Sequence, residues 1–225
     1  MLIAETLSLI ALDPLTGQTR PKLASLHDQR ILACALLMEL AVQTRIGLRN
    51  GVVVVLDTLP SRHPLLTAAL RSVSRASGQL RPQTAIEHAA RELPQLRDDL
   101  LDALVRRDIL HTPKRSFGFF GRRNYPVRSS QAQLECLEEL RRAAIGIDTS
   151  LLALAMLALG SATGAIDQLL TFDEAESAKA RLRQLREEIR DQLAQSDEQL
   201  DEIYAIALLE GLELAMEAHI KQDNG

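Results

Sequence analysis

Apolar positions recur along most of this chain at the three- and four-residue spacing of amphipathic helices. Leu2, Ile3, Leu7, Ile10 and Leu12 predict an opening helix, stopped by Asp13-Pro14 and a turn at Thr16-Gly17. Ile31, Leu32, Cys34, Ala35, Leu36, Met38, Leu40 and Ala41 then cover nearly a whole helical circumference. A helix without a polar face belongs at the centre of a protein. It runs into Arg45-Ile46-Gly47-Leu48, then Asn50-Gly51, then a run of valines from Val52, and Asn-Gly between two β-prone runs predicts a hairpin. Pro64 followed by Leu65, Leu66, Ala69, Leu70 and Val73 predicts a helix with proline in its first turn. Residues 78–83 read as loop. Helices are expected near 84–91 and over 94–107, the second with Leu96, Leu100, Leu101, Leu104 and Val105 inward. Residues 109–128 break the helical rhythm and read as a second hairpin. The remainder is helical over 131–145, 149–159, 163–170, 173–193 and 198–220, with Thr171 or Asp173 and Ser196 as N-caps of the last two. The expected fold is mainly α: a single compact multi-helix domain over 1–225 with two short β-hairpins, the second protruding near 110–127.

Composition constrains the core and the surface differently. Hydrophobic residues make up 46% of the chain but aromatics only 3%, so the core is expected to be Leu, Ala, Ile and Val. The net charge of −4 conceals an asymmetry. Residues 62–128 hold thirteen basic against six acidic side chains, whereas from Asp173 onward there are fourteen acidic against six basic. An acidic chain with a basic middle suits a polyanion, either anionic lipid or nucleic acid. Cys34 and Cys136 fall in helical segments without metal-ligand spacing, as expected of reduced core residues in a cytosolic protein. The apolar start lacks a basic leader and does not read as a signal peptide. The longest apolar runs, 31–42 and 151–159, are too short to cross a bilayer. The expected location is cytoplasmic, with any membrane contact made from the cytosolic face. Only four of the 26 cations are lysine and alanine is abundant, the composition of a protein from a GC-rich bacterium.

The chemistry concentrates in Lys114-Arg115-Ser116-Phe117-Gly118-Phe119-Phe120-Gly121-Arg122-Arg123. Three of the chain's four phenylalanines lie within four residues, flanked by paired cations and no acid. A bilayer interface rewards this pattern, because rings enter the headgroup–acyl boundary while cations meet phosphates. Each cation near an anionic surface contributes about 1 kcal/mol. Five of them, counting Arg128, with two or three inserted rings give roughly 8 kcal/mol, a micromolar attachment. The competing reading packs Phe117, Phe119 and Phe120 into the core with the arginines solvated around them, and on the residues alone the two readings weigh evenly. Nothing points to catalysis. His27, His63, His88, His111 and His219 show no metalloprotease or zinc spacing, no Gly-rich phosphate loop follows a strand, and Asp98-Asp99 and Glu187-Glu188 read as solvated helix faces. No cofactor or metal is implied. The other open classes are a nucleic-acid-binding regulator using the basic middle, and an oligomeric structural module that buries the hairpin against a second copy.

Several stretches together resemble the Golgi phosphoprotein 3 family of phosphoinositide-binding membrane adaptors. These are Leu12-Asp13-Pro14-Leu15-Thr16-Gly17, Leu37-Met38-Glu39-Leu40-Ala41-Val42-Gln43-Thr44-Arg45-Ile46, and Leu104-Val105-Arg106-Arg107-Asp108-Ile109-Leu110 followed by Lys114, Phe117, Phe119-Phe120 and Pro126. Asp148 with Leu151-Leu152-Ala153-Leu154, and 178–185, are also similar. The resemblance implies a mostly helical, non-enzymatic, peripheral membrane protein with a membrane-inserting hairpin: Lys114, Arg115, Phe117, Phe119, Phe120, Arg122 and Arg123 here. It implies clients, the cytosolic tails of membrane-bound glycosyltransferases, and a pocket for the 4-phosphate of phosphatidylinositol. That pocket is built by a tryptophan and an arginine around the second helix and two arginines opening the pre-hairpin helix. Position by position, these fall on Ala24, Ala33, Pro94 and Arg97, so only Arg97 is kept, with Arg30 and Arg91 as nearby substitutes. The implied lipid partner is therefore anionic in general, with phosphatidylinositol 4-phosphate the family's own ligand.

Overall fold

A helix with no polar face must be covered on every side, and that requirement organises this molecule. The computed structural model describes residues 1–115, 123–195 and 201–223. In chain order these form α1 (Ile3–Ala11), a 3-10 turn (Pro21–His27), α2 (Gln29–Val42), β1 (Ile46–Arg49), β2 (Val52–Val55), α3 (Pro64–Arg75), α4 (Pro82–Glu92) and α5 (Leu96–Arg106). Then come β3 (Lys114–Arg115), β4 (Arg123–Asn124), α6 (Ser130–Ala144), α7 (Leu151–Ala162), α8 (Ile166–Leu169), α9 (Phe172–Gln195) and α10 (Asp201–Asp223). The fold is mainly α, and the described residues form two separate two-stranded antiparallel sheets. Every residue of α2 from Ile31 to Ala41 is buried, and α1, α3, α4, α5, α7 and α10 all pack against it. Asp28 starts the helix by accepting from the Arg30 and Ile31 amides at 2.8 and 3.4 Å.

The first hairpin forms as expected. Arg49 pairs with Val52, and Asn50 and Gly51 between them have φ of +53° and +73°, the two positive values that a type I′ turn needs. Ser129 and Ser150 cap α6 and α7 through the Ala132 and Ala153 amides, each at 3.2 Å. Thr171 and Glu174 form a reciprocal capping box at the start of α9. Ser196 lies outside the described residues.

Several boundaries move for local reasons. α4 begins at Pro82 because proline is accepted in a first turn, whereas α5 begins only at Leu96, Pro94 and Gln95 being spent on the turn between them. Thr163 closes α7, and Gly164 at φ +68° leaves only Ile166–Leu169 helical in the next stretch. The second hairpin has short strands, Lys114 opposite Asn124 and Arg115 opposite Arg123, with an isolated bridge from Leu110 to Val127 below them. The 3-10 turn was not foreseen; Leu23 and Leu26, three apart, hold it to the core.

Among the described residues, buried side chains fall into a large cluster around α2 and a smaller one formed by Leu9, Ile10, Leu12, Leu101, Leu104, Leu110, Tyr125 and Cys136. Cys34 and Cys136 are free and buried, and burial raises both thiols, Cys136 to about 12. Among the described residues Tyr125 is the one aromatic ring in these clusters, and Phe172 is 80% exposed. No helix among the described residues is long and apolar enough to cross a membrane.

Candidate functional site

The small cluster is a platform under the second hairpin. Tyr125, directly after β4, is fully buried, and its hydroxyl donates to Asp102 Oδ1 at 3.1 Å. Its amide donates to the Gly17 carbonyl at 3.0 Å, and the Val127 amide to the Pro14 carbonyl at 3.3 Å. These bonds clamp the turn over 13–17 against the foot of the hairpin. The contact needs glycine: Gly17 has φ +68°, and a Cβ there would lie 2.3 Å from the Pro126 nitrogen. Asp13 braces the same turn by accepting from the Thr16 amide at 2.8 Å, the Thr16 hydroxyl at 2.9 Å and the Leu15 amide at 3.1 Å, which holds its carboxyl below the usual range.

On this platform the cations meet α5. Arg123 Nη1 lies 4.0 Å from Asp98 and 3.8 Å from Asp102, while Arg97 Nη1 donates to Asp98 Oδ1 at 3.1 Å. Asp98 is thus within reach of one arginine from the hairpin and one from α5. A hydrogen bond with Tyr125, then the charges of Asp98 and Asp102, tightens the Arg123 guanidinium's hold on its proton.

Arg97 also lines a depression of about 340 Å³ with Thr19, Ala24, Ser25, His27 and Asp28. His27 Nε2 is 3.1 Å from the Ser8 carbonyl, which can only accept, so the proton sits there and Nδ1 takes the Thr19 hydroxyl at 2.7 Å. Burial first, and then the charge of Arg97, push the imidazole down to about 4. At neutral pH Arg97 is therefore the cation of this depression, faced by the Asp28 carboxylate.

The structure separates the residues that the sequence grouped. Ala24 and Arg97 share the depression, but Ala33 is completely buried in the core. Arg30 lines a different depression with Gln83, Glu87 and His219, its Nη1 3.1 Å from His219 Nδ1. Arg91 is exposed on α4 and lines neither, and Pro94 is exposed in the α4–α5 turn. Lys114, Arg115 and Arg123 occupy the paired strands, whereas Phe117, Phe119, Phe120 and Arg122 lie outside the described residues. Sequence reasoning placed Asp98 on a solvated helix face and passed over Asp102 and Tyr125. The signal was present in part: Asp98 and Asp102 stand four apart on α5 and so share a face, which a solvated-face reading does not use. Among the described residues no group of three or more His, Cys, Asp or Glu side chains is placed to hold a metal.

No significant match to this chain was found among curated proteins. A family model described as Golgi phosphoprotein 3 (GPP34) matches residues 3–205, a span that takes in α2, both hairpins, Arg97 and the turn at Gly17. With that span covering most of the chain and the helical fold in agreement, the protein belongs to the Golgi phosphoprotein 3 family.

Proposed function

We propose that this protein is a non-enzymatic peripheral membrane adaptor that docks on anionic lipid through the second hairpin and the basic surface beside it. The observation that carries the reading is the joining of Arg123 at the hairpin's foot to Arg97 and its depression through Asp98. Exposed ion pairs of this kind hold only about 0.2–1 kcal/mol, so both guanidiniums remain exchangeable for lipid phosphate. The core gives further support. Its described part closes with aliphatic side chains and Tyr125 and uses no phenylalanine. Family membership supports the adaptor role, and the clients proposed here are the tails of membrane proteins. Anionic lipid in general fits better than selective recognition of phosphatidylinositol 4-phosphate, because the depression holds one cation against Asp28 and Asp98. Flotation with neutral and anionic liposomes tests this. Wild type should float with anionic vesicles, and both F117S/F119S/F120S and R122E/R123E should sink at unchanged melting temperature. Loss of folding in the phenylalanine variant would return the rings to the core and remove the basis of the reading.

A further inference from the structure

A third depression of about 360 Å³ opens between α3 and α4, lined by Ala68, Arg71, Ser72, Arg75, His88, Glu92 and Leu93. Arg71 and Arg75 stand four apart on α3, so their guanidiniums emerge on one face. Both are exposed, and among the described residues neither guanidinium forms a hydrogen bond or an ion pair. This differs from Arg97, Arg123, Arg141 and Arg186, each of which meets a carboxylate. Like charges at this spacing repel, and Glu92 is the acid in the described lining that opposes them. The opposite wall is held in place. His88 Nε2 donates to the Ser72 carbonyl at 3.2 Å, and the Ser72 hydroxyl is spent on the Ala69 carbonyl at 2.8 Å. Donors aimed at a ligand therefore come from the two forked guanidiniums, a geometry that matches phosphate oxygens and supplies two charges for a dianion. Leu93 places this depression beside the Arg97 one: its carbonyl accepts from Gln29, the neighbour of Asp28 in the chain.

We propose that the α3–α4 depression binds a phosphate monoester or inorganic phosphate group through Arg71 and Arg75, whether the group is free or carried by a lipid. The inference does not depend on the hairpin. Nuclear magnetic resonance of the arginine Nε–H groups in the full chain tests it, titrating inorganic phosphate in one arm and phosphatidylcholine vesicles with or without phosphatidic acid in the other. Phosphate should shift the Arg71 and Arg75 signals. R71Q/R75Q should bind it at least about tenfold more weakly at an unchanged melting temperature, and E92Q more tightly. In the vesicle arm, weaker binding of R71Q/R75Q to phosphatidic acid assigns the site to a lipid-borne group, and unchanged binding assigns it to free phosphate. F117S/F119S/F120S should retain phosphate binding even where it loses vesicles, so the membrane reading can fail without this one. Absence of phosphate shifts in wild type, or wild-type affinity in R71Q/R75Q, overturns the proposal.

Discussion

Around α2 the core is closed on all sides by helices, and its floor and roof are both aliphatic. Under the second hairpin a smaller cluster of Leu, Ile and one Cys is roofed by polar groups: the Tyr125 hydroxyl, Asp102, Asp98, Arg97 and Arg123. The first arrangement spends its apolar surface on stability. The second uses a little apolar surface to hold charged groups at fixed separations. Adding a polar roof costs some stability, because each group needs its partner, but it converts a patch of core into a platform for charge. The contrast is one of design rather than composition, since leucine is the commonest buried residue in both.

The largest effect should come from the centre. Leu36→Ala, at a position with no exposure, should cost about 2–5 kcal/mol in denaturant melts. A cost no greater than that of any substitution on the platform would erase the contrast. Acid should act next, and on the platform side. His27 has its folded value lowered to about 4 against an ordinary 6.5, so the unfolded chain binds its proton first. Its contribution is complete above pH 6.5 and is lost as pH falls toward 4, on the order of 3 kcal/mol in all. Glu39 and Glu213, raised by burial, act with the opposite sign, so the reading is the difference between wild type and His27→Gln. The variant should show a flatter stability profile in that window. Gly17→Ala should follow at about 2 kcal/mol, from the left-handed backbone and the clash with Pro126, with the amide signals of Tyr125 and Val127 displaced. Tyr125→Phe should cost about 1 kcal/mol, with most of the change felt at Asp102. If Tyr125→Phe also weakens liposome flotation, the platform transmits its order to the groups proposed to meet lipid.

Element types were legible along nearly the whole chain because they follow from local pattern. Ile31 to Ala41 has no polar face and so had to be central, and Asn50-Gly51 had to turn, whatever packed around them. The site was legible only in outline. Arg97 was singled out and lines a depression, yet Arg30, offered as a substitute for the arginine missing at Ala33 three residues on, points toward α10 instead. Spacing along one helix says which residues share a face, and not what that face meets. The link from Arg123 through Asp98 to Arg97 joins the hairpin to α5, and the pairing of Gly17 with Tyr125 spans nearly half the chain. Period and propensity carry no term for such distances. They are set when α1, α5 and the hairpin close on a shared cluster, because only that closure decides which charges become neighbours.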